Sequence, residues 1–287
     1  MSHQLVRYIG FDMDDCVGGV HPLHPFTNEF ASDKSEAFLK KAAAALALSE
    51  RERKTDFLRS GITDVFCAVY DAIQQGQIRC AFLFSNNDNQ SLVEFTGMLL
   101  ETMVQRERRL PTRPRLFGMI ISVRSPEREP DSKKGNERRG IKDWEAITRC
   151  LAYHRLPTPS SKSDLLFFDD KEHALTKEIT HYTVVPAYHA TSSLEDGIRC
   201  IRPVVPDSLK GRFEHIEEHP GPPGRTDAGG PPGRTDAGHR GARENRAGSS
   251  SFLAAIRLFL SGGGATRKKT REARKTRRRK TRKNRRQ

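Results

Sequence analysis

The chain has 287 residues, a formal net charge of +14 and five cysteines. That charge is uneven: residues 265–287 hold 14 Lys and Arg against one Glu, which leaves 36 basic and 35 acidic residues in the remainder. A nearly neutral body argues against a folded domain built around a broad basic face and places any attraction for polyanions in a separable tail. The cysteines (Cys16, Cys67, Cys80, Cys150 and Cys200) form no Cys-x-x-Cys pair, which argues against a zinc ribbon or a redox motif. Reduced thiols in an intracellular protein, cytoplasmic or nuclear, are expected. No apolar leader opens the sequence and Phe252–Leu260 is too short for a bilayer, so no membrane association is expected.

Taken in chain order, apolar runs bounded by charge or turn residues predict strands at Leu5–Phe11, Arg79–Phe84, Leu116–Ile121, Leu165–Phe168 and Tyr182–Pro186. Helices are predicted between them. Ser35–Arg59 is rich in Ala, Leu, Lys and Glu, while Ile62–Gln74 and Ser91–Arg108 carry apolar residues at three-and-four spacing. Trp144, Ile147 and Leu151 mark one face of another. Alternating strands and helices imply right-handed crossovers and a doubly wound, Rossmann-like, mostly parallel five-stranded α/β sheet. The stretch Gly18 to Ile78 is longer than one crossover needs and fits either a small helical cap or an extended crossover. Arg124–Gly140 reads as a polar loop.

Beyond Pro206 the apolar periodicity fades. Pro222-Pro223-Gly224-Arg225-Thr226-Asp227-Ala228-Gly229 recurs once as Pro231 to Gly238, a flexible-linker composition rather than a solenoid. Ser251–Leu260 forms a short amphipathic pattern with Phe252, Ile256 and Phe259 on one face, expected to be a transient helix. The expected organisation is a folded domain at residues 1–202, a linker at 203–264 and a polybasic tail at 265–287. The tail is a candidate for nonspecific nucleic-acid binding through phosphates, without base stacking, because no aromatic is interleaved from Ala265 onward.

The chemistry concentrates where apolar runs stop at carboxylates. Tyr8-Ile9-Gly10-Phe11 runs into Asp12-Met13-Asp14-Asp15, and Leu165-Leu166-Phe167-Phe168 runs into Asp169-Asp170. Like charges this close repel unless a cation or a proton intervenes, so each cluster reads as a metal site or a poised acid/base pair. If the two strands are parallel and adjacent, the clusters meet beyond their carboxyl ends, where open α/β sheets bind ligands.

Phe11-Asp12-Met13-Asp14-Asp15-Cys16-Val17 resembles the first motif of haloacid-dehalogenase-like (HAD) phosphatases, Phe-Asp-Met-Asp-Gly-Thr-Leu. In the order that family requires, Ser85 after Ala81-Phe82-Leu83-Phe84 resembles the second motif, Lys142 the third and Asp169-Asp170 the fourth. The resemblance spans roughly residues 5–190. It implies Asp12 as nucleophile and metal ligand, and Asp14 as general acid and base whose backbone carbonyl also ligates. Asp169 would complete a Mg²⁺ shell, Asp170 would hold a metal-coordinated water or orient Lys142, and Ser85 and Lys142 would hold the phosphate. Lys133 or Lys134 are alternatives to Lys142. Asp15 replaces the family's glycine and Cys16 its threonine. Asp15 is expected to face solvent or substrate, and Cys16 to be a small buried residue. His21-x-x-His24 is expected to be a loop beside the site entrance, and His173 to start the next helix.

The resemblance implies a Mg²⁺-dependent phosphatase acting on a phosphorylated substrate through an aspartyl-phosphate. Its alternatives are a phosphotransferase or mutase of the same fold, and a degenerate scaffold that acts on nucleic acid or within a virion through its tail. The glycine-rich spacer and Arg/Lys/Thr tail also resemble the ends of many large DNA virus proteins.

Overall fold

The computed structural model describes residues 7–30, 35–128, 142–218 and 249–261. Five parallel strands, β1 (Tyr8–Phe11), β2 (Cys80–Phe84), β3 (Phe117–Ile121), β4 (Leu165–Asp169) and β5 (His181–Val184), form one sheet in the order β3-β2-β1-β4-β5. The sheet is all-parallel and Rossmann-like, as the alternating pattern predicts. β1, β2 and β4 are buried along their whole length, which is why each reads as an uninterrupted apolar run.

The two faces of the sheet follow the period of two in a strand. Ile9, Phe11, Ala81, Leu83, Leu166 and Phe168 point into one core, and Tyr8, Phe82, Phe84, Leu165 and Phe167 into the other. Gly10 lies between the rings of Phe82 and Phe167; a Cβ there would come within 2.4 Å of Phe167. Its missing side chain lets those two rings close over β1, with centroids 6.0 Å apart.

On the first face lie α1 (His24–Glu29), α2 (Glu36–Arg51), α3 (Ile62–Gln74) and α4 (Gln90–Glu107). Phe66 of α3 packs on both Phe11 and Phe117, so α3 is the crossover from β1 to β2, while α2 packs on α4. The long stretch from Gly18 to Ile78 is therefore mostly an extended crossover. The helix expected over Ser35–Arg59 stops at Arg51, and Phe57 and Leu58 instead lie in an irregular segment whose amides are held by the Glu50 carboxylate at 2.9 and 3.2 Å. The helix Trp144–Tyr153 covers the second face.

The boundary expected at residue 202 leaves out part of the packed core. Phe213 and Ile216, from the helix Lys210–Glu218, are buried in it. So are Phe252, Ile256 and Phe259 from the helix spanning residues 249–261. The Phe252 ring lies 4.6 Å from Phe168 and 6.1 Å from Phe11, centroid to centroid. Arg7 donates to the Phe259 carbonyl at 3.2 Å. The amphipathic stripe of residues 251–260 is thus a core helix and not a transient one, because the sheet face beside β1 and β4 offers it an aromatic partner surface. The two-copy repeat and the tail at 265–287 lie outside the described residues. No described helix is long and apolar enough to cross a membrane.

Candidate active site

β1 leaves the sheet with Asp12, whose N–H still donates to the Phe168 carbonyl of β4 at 2.8 Å. With β2 and β3 on one side of β1 and β4 and β5 on the other, the crossovers reverse direction between β1 and β4. That reversal opens a crevice beyond the strand ends. Asp12, Asp169 and Asp170 converge there, each with a carboxylate oxygen within 4.8 Å of those of the other two.

Lys142 sits in the middle of the acids. Its Nζ is 2.6 Å from Asp12 Oδ1 and 2.9 Å from Asp169 Oδ2, and the side chain is buried. The backbone is fixed on both sides: the Lys142 carbonyl accepts the Leu175 N–H at 3.0 Å, and Asp143 caps the following helix through Ala146 N–H at 2.7 Å. Lys133 and Lys134 lie outside the described residues.

Asp14 faces a second group of partners. Its Oδ2 accepts from Ser85 Oγ at 3.1 Å and its Oδ1 from Asn87 Nδ2 at 3.3 Å, with His21 Nε2 also 3.3 Å from Oδ1. Ser85 extends the β2–β3 ladder by one bond, N–H to the Ile121 carbonyl at 2.8 Å, which aims its hydroxyl out of the strand end. The Asp14 carbonyl accepts the Cys16 N–H at 2.6 Å and keeps a second lone pair. All six residues picked from the sequence (Asp12, Asp14, Ser85, Lys142, Asp169 and Asp170) therefore meet at one end of the sheet, in two contiguous sets.

Burial sets the electrostatics. It pushes the Asp12 carboxyl well above its ordinary value; the Lys142 charge opposes this, and Asp169 and Asp14 add to it. Asp14 is likewise raised by burial against the pull of His21, Asn87 and Ser85. Burial would raise Asp169 too, but a hydrogen bond from His173 and the Lys142 charge bring it down to about 2. Asp170 is raised by burial, with Lys171 opposing and Asp169 and Asp15 reinforcing. For Lys142 the two carboxylates outweigh desolvation, so its ammonium is held more firmly than usual.

With all three acids ionised, three carboxylates against one ammonium would leave two negative charges. Asp170 Oδ2 is buried and without a hydrogen-bond partner, Lys171 Nζ at 3.7 Å being beyond bonding reach. An all-oxygen donor set with an orphaned oxygen and, when ionised, two uncompensated charges fits a hard divalent cation. Oxygens around one such ion at about 2.1 Å lie roughly 3 to 4 Å apart, so the cluster needs only slight closure to hold one.

The remaining residues sort as follows. Asp15 takes φ 57°, the left-handed region that favours glycine, at the position where the HAD motif has glycine. Its partly exposed carboxylate is 3.9 Å from His189 Nδ1. Cys16 is buried, and desolvation with the Asp12 and Asp169 charges holds it as a thiol. His173 both precedes the short turn Ala174–Lys177, as expected, and reaches Asp169 Oδ2 at 3.5 Å.

Three residues at the site had no assigned role from the sequence, and a fourth, His21, was expected only in a loop beside the site entrance. His21 and Asn87 contact Asp14. Arg59 donates to the carbonyls of Asp15 and Cys16, and Arg128 to the Ser85 carbonyl at 3.1 Å while lying over the Phe84 ring. Asn87 could have been found from its place two residues after Ser85; the two arginines carry no local signal. Compared with protein-family models, with curated proteins and with solved structures, the chain matches none.

Proposed function

We propose that the protein is a Mg²⁺-dependent phosphomonoester hydrolase of the HAD type, working through an aspartyl-phosphate on Asp12. One observation carries this reading. A buried acidic triad meets a buried lysine at the β1/β4 reversal, and a separate carboxylate, Asp14, stands beside a strand-end hydroxyl. The ordered motif resemblance of the sequence supports the same assignment.

In the proposed cycle the Asp12 carboxylate attacks phosphorus as the bond to the leaving oxygen breaks. Asp14, in its acid form, gives that oxygen its proton. Burial favours this form by raising the Asp14 carboxyl. Asp14, now a carboxylate, then takes a proton from water as the water oxygen attacks phosphorus. The bond to Asp12 breaks, inorganic phosphate leaves and both aspartates return to their starting states. Ser85 Oγ and Lys142 Nζ would hold nonbridging phosphate oxygens, and the Lys142 charge opposes the rise that burial imposes on the Asp12 carboxyl. Asp12, Asp169, Asp170 and the Asp14 carbonyl would hold the Mg²⁺, which supplies charge neutralisation for the incoming phosphate.

The test is phosphate release from an aryl phosphate by the full chain, with Mg²⁺ or with chelator, beside its Asp12→Asn variant. Turnover that needs both Mg²⁺ and Asp12 is expected. A folded, cation-binding protein with no turnover above the variant would refute the hydrolase reading and favour a non-catalytic scaffold.

A further inference from the structure

Arg59 is among the largest fully buried side chains. It is 2% exposed and, among the described residues, no carboxylate comes within ion-pair distance of it. Its guanidinium is spent on backbone: Nε donates to the Cys16 carbonyl at 2.8 Å, and Nη2 to the Asp15 carbonyl at 2.9 Å and the Pro186 carbonyl at 2.5 Å. Tyr188 and Phe252 lie against it, with ring centroids 5.3 and 5.9 Å from Cζ. Burial pulls its pKa below the usual arginine value, and the nearby acidic groups, Asp170 and Asp15 among them, only partly oppose this. A buried charge satisfied only by carbonyls stabilises a fold little, and its desolvation is costly.

Two of the three carbonyls it holds belong to the residues directly after Asp14. That loop needs holding from outside. Asp15 is a non-glycine residue in the left-handed region, a conformation that persists only where the surroundings over-determine it. The loop's own bonds are short-range, such as Val17 N–H to the Met13 carbonyl at 3.0 Å. Arg59 reaches it twice more through the backbone neighbourhood, with its N–H on the Val17 carbonyl at 3.0 Å and an antiparallel bridge between Gly18 and Leu58. On the far side, Tyr188 N–H donates to the Asp15 carbonyl at 2.7 Å. The backbone that follows Asp14 is thereby fixed while its carboxylate reaches Ser85 and Asn87.

We infer that Arg59 is a positioning residue for Asp14: its fork fixes the Asp15–Cys16 backbone so that the Asp14 carboxylate meets the leaving oxygen. This rests on the proposed hydrolase reading, and it separates Arg59 from a residue that only stabilises the fold. A misplaced general acid harms substrates in proportion to how much their leaving group needs a proton, whereas a general loss of folding harms all substrates alike.

The experiment compares the full chain with Arg59→Met and Arg59→Lys, on nitrophenyl phosphate and on phenyl phosphate, whose leaving group is the poorer. General acid catalysis is worth about 10²–10⁴-fold, so for Arg59→Met the loss in kcat/KM should be about tenfold larger on phenyl than on nitrophenyl phosphate. Arg59→Lys, with its charge but not its fork, should fall between. Amide exchange is read in parallel. Residues 15–18 should exchange at least about tenfold faster in Arg59→Met, with the β2 amides unchanged. Equal losses on both substrates, or unchanged exchange at residues 15–18, would overturn the inference. Should the wild type show no Asp12-dependent turnover, the hydrolase reading fails on its own, and exchange at residues 15–18 still decides whether Arg59 holds the loop.

Discussion

Asp170 offers a perturbation whose two effects have opposite signs. Its buried Oδ2 has no hydrogen-bond partner, and it lies with Asp12 and Asp169 in one acidic cluster, so its ionised form is opposed by like charge. A buried group left unsatisfied costs about 1–3 kcal/mol, more when charged. Asp170→Asn keeps the shape and removes the charge, so the metal-free variant should gain about 1 kcal/mol. With Mg²⁺ at a hundredfold excess over its dissociation constant, the wild type gains about 2.7 kcal/mol. If the variant binds a hundredfold more weakly, its gain from the same Mg²⁺ is RT ln 2, about 0.4 kcal/mol. At roughly 2–4 °C per kcal/mol, the variant melts above the wild type in chelator and below it in Mg²⁺. Thermal unfolding by circular dichroism, in both conditions, reads the crossing directly. A variant that is less stable in chelator, or that gains as much from Mg²⁺ as the wild type, would refute the argument that Asp170 is held in place for a cation.

The remaining predictions concern other parts of the chain. Phe252→Ala removes a buried ring packed against Phe168 and stacked on Phe11. It should cost about 3–5 kcal/mol in urea unfolding; a change within about 0.5 kcal/mol would mean that helix 249–261 is not part of the cooperative unit. Asp12 and Asp170 have raised pKa values in the metal-free fold, so they hold protons more tightly folded than unfolded. Their contribution to metal-free stability is full below the unfolded value of 3.8 and is lost as pH rises towards the raised values. Asp169, brought down to about 2, contributes in the opposite sense, above 3.8, and loses it as pH falls towards 2. A divalent cation competes with protons for Asp12 and Asp170, whose carboxyls are raised, so its affinity should rise as pH climbs above 3.8, with proton release, measured by titration calorimetry in two buffers; pH-independent affinity would contradict the site. Deleting residues 265–287, which carry 14 basic residues and one Glu, should abolish binding to duplex DNA. The full chain should lose at least about a thousandfold in affinity between 50 and 200 mM salt. Salt-independent binding would assign recognition elsewhere.

The strand ends were legible because a parallel strand buried on both faces must be apolar throughout, so the first carboxylate after it marks both the strand's end and the crevice. That is how Asp12 and Asp169 stood out, and the paired loops after β1 and β2 brought Asp14 and Ser85 with them. The stripe Phe252, Ile256 and Phe259 was equally visible, yet its fate was not. Whether an amphipathic face finds a partner depends on which surface the sheet leaves uncovered, and no local pattern records that.

The sequence alone therefore determined the strands and main helices, the acidic clusters at the strand ends and the concentration of basic residues at 265–287, since each follows from periodicity or composition within a few residues. The tertiary structure decided the strand order that joins β1 to β4, the packing of helix 249–261 against Phe11 and Phe168, and the reach of Arg59 to Asp15 and Cys16. These contacts join residues 43 and 44 positions apart in the case of Arg59, and far more for the C-terminal helix. Their energy comes from mutual burial, a property of the assembled surfaces and not of either segment alone.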